Sequence, residues 1–377
     1  MRPTGRQGRN GAMGLRRKSR FSPSCYGSRD SEPPLIDTAW RAHAARALNR
    51  QHVTPMVQVG VQVGARLFPL LLKLEGRSPS GSTKGRTARA LLLGLLRCRR
   101  LHAGSHVVES SSGNLAVALA LLTAELGVSF TVVVDSKTTS AIHALLATTP
   151  ARVDIVDCCD DDGSHLSARL ERVFELQDSL PGAVWTNQYD SPDNPLAHYS
   201  ETAPELLAQC PKPPDVVFAA VGTGGTVSGL ARRLALLSPQ TTVVAVDVIG
   251  SLATGGEPGP RLLTGIGSSR RIGFPLADNV IVSRVHDRQA FAHARRLRDQ
   301  TGVGVGGSAG AILAACARYL ATATDDVTVV CLCADGADRY ANTIYDDHWL
   351  ADRDVLISDT DLLPAMRYVP WDLRLPR

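Results

Sequence analysis

Lysine is almost missing from this chain. Its 377 residues carry 36 arginines but only Lys18, Lys73, Lys84, Lys137 and Lys212. Aromatic residues are scarce too, at 5%. Long apolar runs are lacking: stretches such as Leu91–Leu96 are short and bracketed by arginine, so no membrane-spanning helix is expected. No C-x-x-C pair occurs among Cys25, Cys98, Cys158, Cys159, Cys210, Cys316, Cys331 and Cys333, and no secretory signal precedes them. Neither a disulfide framework nor a zinc site is supported, no metal is expected, and a reducing, cytoplasmic setting fits the thiols.

The net charge of +5 is misleading as a sign of nucleic-acid binding. Residues 1–20 hold six Arg and one Lys with no acid, which leaves −2 for the rest. A nucleic-acid binder keeps its basic stripe on the folded part, so no nucleic-acid partner is expected. Residues 1–35 read as a disordered basic tail. Their Arg-rich, acid-free start also fits a transit peptide or a start codon assigned ahead of Met13.

Beyond the tail, a short helix is expected over Asp37–Asn49, with Asp37 as N-cap. From about residue 53, strand-like and helix-like pieces alternate. Val-rich strands are predicted at Ser105–Glu109, Phe130–Asp135, Val153–Val156, Val216–Val221, Val243–Val248, Val280–Val282 and Val327–Cys333. Helical spacing of apolar residues marks Leu115–Leu126, His165–Leu176, Val227–Leu237, Asp287–Thr301 and Ala309–Leu320. This alternation predicts an α/β protein with parallel sheets covered by helices on both faces. Pro211–Pro214 is a candidate seam between two such sheets.

Four segments carry chemistry. Gly222-Thr223-Gly224-Gly225-Thr226 follows a strand and opens a helix. Its glycines expose backbone N–H groups beside the positive end of a helix, and its threonines add hydroxyls, which together make a phosphate cradle. It lacks the lysine ending of a Walker loop and the spacing of the dinucleotide fingerprint. Ser78-Pro79-Ser80-Gly81-Ser82-Thr83-Lys84 is the second. In a chain that uses arginine almost everywhere, a retained lysine points to the one task arginine cannot do, forming an imine with an aldehyde. Lys18 is in the tail, Lys73 in an apolar strand edge, Lys137 on a polar loop and Lys212 between prolines. Only Lys84 follows a Gly/Ser turn and starts a helix, where burial and the dipole lower an amine's pKa. Taken alone it also fits a surface helix start. Glu109-Ser110-Ser111-Ser112-Gly113-Asn114 joins strand to helix and fits either a carboxylate-binding loop or a well-capped helix. Gly302–Gly310, with Ser308 opening another helix, allows close approach of a flat ligand. A phosphate cradle, an imine-competent lysine and a carboxylate loop converge on pyridoxal phosphate acting on an amino acid.

Ser78–Arg86 resembles the Asn-Pro-x-Gly-Ser-x-Lys-x-Arg segment of the cysteine synthase family, the β-replacement group of the fold type II pyridoxal-phosphate enzymes. Ser111–Asn114 resembles its Thr-Ser-Gly-Asn loop, Gln188 its substrate-loop Gln, and Gly222–Thr226 its phosphate loop. Gly265-Ile266-Gly267 and Gly307–Gly310 match two further segments, and the resemblance runs from about Val53 to Trp349. Three stretches look most like the family's synthases of N-(2-amino-2-carboxyethyl)-L-glutamate, a precursor of 2,3-diaminopropionate for siderophores and peptide antibiotics. They are Lys73–Gly76 with Glu109–Leu115; Asn187–Tyr189 with Asn194–Tyr199; and Asp335-Gly336 with Arg339-Tyr340 and Thr343–Tyr345. Leu115, Ala309 and Gly85 depart from ordinary cysteine synthases.

The resemblance implies two three-layer αβα domains with mostly parallel sheets and the cofactor in the cleft between them. It divides the chain into a tail (1–35), an N-terminal segment packing on the large domain (36–75), a small substrate-loop domain (76–188), a large phosphate-binding domain (189–350) and a C-terminal tail (351–377). It implies that Lys84 holds the cofactor and removes the substrate's Cα proton. Gly222, Thr223, Gly224, Gly225 and Thr226 would bind the cofactor phosphate, Asn114 its ring hydroxyl, and Ser308 its pyridine nitrogen. A hydroxyl at that nitrogen makes the ring a weaker electron sink than a carboxylate would, which favours β-elimination. Ser111, Ser112, Gly113, Gln188 and Gly265 would hold the substrate, with Arg270 or Arg271 receiving a leaving phosphate or a glutamate carboxylate; two exposed loop arginines are the plainer alternative. The implied reaction joins O-phospho-L-serine and L-glutamate in a homodimeric enzyme. A cysteine synthase or O-phosphoserine sulfhydrylase, a serine or threonine dehydratase and a catalytically silent scaffold of the same fold are the alternatives.

Overall fold

The computed structural model describes residues 35–158, 165–324, 326–358, 361–362 and 366–371. Cys25, Cys159, residues 1–34 of the basic tail and most of 359–377 lie outside the described residues. The chain opens with α1 (Leu35–Leu48), the hairpin β1 (Met56–Val63) and β2 (Arg66–Leu74), and α2 (Lys84–Arg97). It continues through β3 (His106–Ser110), α3 (Asn114–Leu126), β4 (Ser129–Asp135), α4 (Ser140–Ala147), β5 (Arg152–Val156), α5 (Leu166–Ser179) and β6 (Ala183–Trp185). The helical run α6 (Asp193–Ala197), a π turn at His198–Thr202 and α7 (Ala203–Gln209) leads to β7 (Val216–Ala220), α8 (Gly225–Leu237) and β8 (Thr242–Val248). A long connection then reaches β9 (Val280–Val285), α9 (Asp287–Thr301), α10 (Gly307–Thr322), β10 (Val329–Cys333), α11 (Asp347–Ala351) and β11 (Arg367–Pro370).

These strands form two sheets. The smaller, ordered β5-β4-β3-β6, is parallel throughout. The larger, ordered β11-β1-β2-β10-β7-β8-β9, is parallel from β2 to β9, but β1 runs antiparallel to both β2 and β11. Each sheet is buried on both faces, which explains its continuous Val and Leu runs. On one face of the larger sheet, Val59, Leu70, Phe218 and Cys331 pack with Phe291 and Ile312 of α9 and α10; on the other, Val217 and Ala245 pack with Leu206 and Leu230 of α7 and α8. In the smaller sheet Val107 and Val132 meet α1 to α4, and Val108 and Val133 meet Val173 and Leu176 of α5. The architecture is two αβα sandwiches, as the resemblance implies.

Several expectations change in detail. The first helix begins at Leu35, so Asp37 lies in its first turn rather than at the N-cap. Residues 36–75 divide between layers: Ala44 and Leu48 of α1 pack with the smaller sheet's helices, while β1 and β2 join the larger sheet. Pro211–Pro214 connects α7 to β7, both already part of the larger sheet's sandwich, so it does not separate the sheets.

Lys73 is not at a strand edge. It is fully buried in β2, where its amine donates to Thr54 O at 2.6 Å, Gln209 Oε1 at 2.7 Å and the Glu205 carboxylate. Arg86 of α2 binds Glu75 Oε2 at 2.8 Å and Glu205 Oε2 at 2.8 Å. Two buried cations thus share two carboxylates directly behind the turn that carries Lys84. Burial pushes the Glu205 carboxyl up, but Arg86 and Lys73 outweigh it and hold it at about 2. Glu205→Gln should cost about 3 kcal/mol in urea unfolding, because it strands buried positive charge. In the wild type this carboxylate's contribution should be complete above about pH 4.5 and fade as the pH falls toward 2.

Candidate active site

A cleft of about 870 Å³ opens between the two sheets at the carboxyl ends of their parallel strands. Four helices begin at it: α2 at Lys84, α3 at Asn114, α8 at Gly225 and α10 at Gly307. First-turn N–H groups have no intrahelical acceptor, so these termini lend the cleft positive potential.

Lys84 lines the cleft, and its amine has no ion pair among the described residues. Burial pushes its pKa down to about 8, against the smaller opposite pull of Glu109. Ser82, Thr83 and Arg86 around it are buried, and Thr83 N is tied to Ala334 O at 2.8 Å, which fixes the turn.

Ser111, Ser112, Gly113 and Asn114 line the opposite wall with Gln188. They are organised by Glu109, a wholly buried carboxylate that accepts from Ser110 N at 2.7 Å, Trp185 Nε1 at 3.0 Å, Gln188 N at 3.1 Å and the Thr186 hydroxyl. Burial raises its pKa while these donors oppose the rise. Gln188 also donates from Nε2 to Ser110 O at 3.1 Å. The loops after β3 and β6 are therefore clasped together.

Gly222, Thr223, Gly224 and Thr226 line the cleft as well. A Cβ on Gly222 would meet nothing nearer than Gly265 O at 3.9 Å, so this backbone is open to a ligand. Gly224 adopts φ +91°, the left-handed conformation that the turn into α8 requires. Gly225 does not line the cleft. It sits behind it, where a Cβ would come within 2.1 Å of Asn194 Oδ1. Asn194 donates to Thr223 Oγ1 at 2.9 Å and to Gln188 O at 2.7 Å. His198 supports Thr226 at 3.2 Å, and burial, then Lys84 and Arg86, push its imidazole well down so that it stays neutral. Gly265, at φ +79°, and Ser308, 2% exposed, complete the predicted set.

Arg270 and Arg271 stand outside the lining of the cleft; Arg270 pairs with Asp190 at 3.0 Å and lies over the Tyr189 ring at its rim. The cleft is lined by Arg169 and Arg261, which the sequence did not single out, and by Lys137, read there only as a polar-loop lysine. Arg169 is 8% exposed, lies 3.2 Å from Asp135 Oδ2, and donates to Ser112 Oγ at 3.3 Å. In the first turn of α5 it is one arginine among 36, with no local signal to mark it.

Comparison with known proteins bears directly on this geometry. The family described as pyridoxal-phosphate dependent enzyme matches residues 48–335. The chain belongs to that family. It is 40% identical over 299 residues to an N-(2-amino-2-carboxyethyl)-L-glutamate synthase from Ralstonia nicotianae, covering 79% of this chain and 88% of the relative. It is 39% identical to a synthase of the same name from Cupriavidus metallidurans, covering 79% and 89%. Among solved structures it resembles an O-ureido-L-serine synthase at TM-score 0.70 and 26% identity, covering 81% of this chain and 98% of that one. It also resembles an O-acetylserine dependent cystathionine beta-synthase from Helicobacter pylori at TM-score 0.69 and 27% identity, covering 80% and 98%.

Pyridoxal 5'-phosphate is the family's cofactor, and the residues present fit it. The open Gly222 backbone and the α8 N-terminus suit a phosphate, and Lys84 supplies an amine that is readily deprotonated. Bound there, the cofactor supplies an electron sink for bond breaking at an amino acid's α- and β-carbons. With Lys84 at about 8, the rate at which apoprotein captures pyridoxal phosphate should rise about tenfold per pH unit below 8 and level off above it, read by stopped-flow absorbance. Lys84→Ala should abolish both the visible band and borohydride trapping.

Proposed function

We propose that this enzyme joins O-phospho-L-serine to L-glutamate, giving N-(2-amino-2-carboxyethyl)-L-glutamate and phosphate, a step toward 2,3-diaminopropionate. The observation that carries the reading is the cationic wall of the cleft. Arg169 stands beside Ser112 in the loop assigned to the substrate carboxylate, where a second anionic group of the same substrate would be received. The name borne by both relatives near 40% identity supports the same reaction.

Lys84 would hold the cofactor, and its amine would take the substrate's Cα proton. The Cβ–O bond breaks and phosphate leaves with the electron pair. The glutamate amine forms the new Cβ–N bond, loses a proton, and Cα is reprotonated. Ser111, Ser112, Gly113 and Gln188 hold the substrate carboxylate, with Gly265 at the opposite lip. Gly222 to Thr226 hold the cofactor phosphate, Gly225 from behind as the first residue of α8. Asn114 would hydrogen-bond the ring oxygen and Ser308 the pyridine nitrogen. The same reading makes the enzyme a cytoplasmic homodimer with residues 76–188 as its substrate-loop domain, serving siderophore or antibiotic synthesis.

A second reading, sulfide as the nucleophile, is the cysteine synthase chemistry of the family whose lysine segment Ser78–Arg86 resembles. Incubation with O-phosphoserine and either glutamate or sulfide, followed by mass spectrometry, separates them. The expected product is the glutamate adduct; cysteine alone would remove the proposal. Arg169→Gln should raise the KM for O-phosphoserine at least tenfold, the cost of one charged hydrogen-bonding partner being about 1.5–3 kcal/mol.

A further inference from the structure

An asparagine amide has an oxygen that only accepts and a nitrogen that only donates. At Asn114 both ends are engaged by residues from the larger sheet's sandwich. Nδ2 donates to Asp335 Oδ2 at 2.7 Å, and Oδ1 accepts from the Arg339 guanidinium. A carboxylate accepts and a guanidinium donates, so these two partners permit one orientation of the amide and oppose its flip. One N–H of Nδ2 is left for the cleft that Asn114 lines.

Asp335 is held firmly enough to do this. It is 3% exposed, and its Oδ2 also accepts from the Tyr340 hydroxyl at 2.8 Å. Its backbone pairs with Ser82 beside Lys84, and its carbonyl accepts from Gly306 N at 3.1 Å. Its Oδ1 is buried without a hydrogen-bond partner and lies over Gly306, where a Cβ would come within 1.8 Å. Only glycine at 306 leaves that carboxyl its place. Arg339 is anchored in turn on Ser80 O. The clamp therefore touches the Lys84 turn, the start of α3 and the approach to α10 together.

We propose that Asp335, aided by Arg339, is a positioning residue that holds the Asn114 amide with its free N–H toward the ring oxygen of bound pyridoxal phosphate. The inference rests on the reading of Asn114 as that oxygen's partner and adds what fixes the partner's orientation. Asp335 acts through Asn114 and not by its own contact with the cofactor.

Cofactor dissociation constants and visible absorbance maxima of the holoenzyme, Asn114→Ala, Asp335→Ala, Asp335→Asn and the Asn114→Ala/Asp335→Ala double variant test this. Asp335→Ala should weaken cofactor binding about tenfold and move the visible band in the direction that Asn114→Ala moves it. The double variant should be no weaker than Asn114→Ala alone, because a residue acting through another has nothing left to act on. Asp335→Asn, which keeps an acceptor for Asn114, should fall between wild type and Asp335→Ala. If circular dichroism finds Asp335→Ala unfolded, Asp335→Asn and Arg339→Gln enter the same cycle with Asn114→Ala. Losses that add in the double variant, or an unmoved band in the Asp335 variants, would overturn the positioning role while leaving Asn114 in place. An Asn114→Ala protein with wild-type band and affinity would remove the Asn114 reading itself.

Discussion

The cleft is organised around a half-buried amine that has no ion pair among the described residues. An ion pair would keep Lys84 protonated and useless as a nucleophile; burial without a pair lowers its pKa. Acids are not lacking nearby. Glu75 and Glu205 are taken by Arg86 and Lys73, Glu109 is saturated by four donors, and Asp335 is taken by Asn114 and Tyr340. Each neighbouring carboxylate has a more compelling partner. The buried charge clusters are thus part of the chemistry, although none of their cations enters the cleft except Arg339.

Around that amine the fold supplies anion affinity largely from backbone. Parallel strands end at the cleft and helices start there, so unsatisfied N–H groups gather from chain segments far apart in sequence. Side-chain cations are then added sparingly. Arg169 and Arg339 are the buried ones, and Arg169 stands beside Ser112.

What could be read in advance follows from how local each signal was. Gly222–Thr226 was legible because a glycine-rich turn between strand and helix has its meaning within five residues. Lys84 was legible through scarcity, since 36 of 41 basic residues are arginine. The β1–β2 hairpin was not, because Pro69 and the unbroken apolar run of β2 hide an alternation that only β1 displays. β6 has three residues, too few for a pattern. Lys73 looked peripheral because its partners Glu205 and Gln209 are 132 and 136 residues away. Arg270 was named from its place after Gly265-Ile266-Gly267-Ser268, while its pairing with Asp190, 80 residues earlier, had no local sign. The role of Asp335 depends on Asn114, 221 residues distant. Local composition marks where a ligand sits, whereas long-range pairing decides which charges remain free to meet it.

The Asn194 side chain fills the room that Gly225 leaves by having no Cβ, and its one amide nitrogen grips both Thr223 and the carbonyl of Gln188. The loop assigned to the cofactor and the loop assigned to the substrate are consequently two ends of a single strut. Anyone redesigning residues 187–190 to admit a different amino acid would be pulling on the cofactor's seat as well, and successful variants should first be sought among changes that leave that carbonyl where it is.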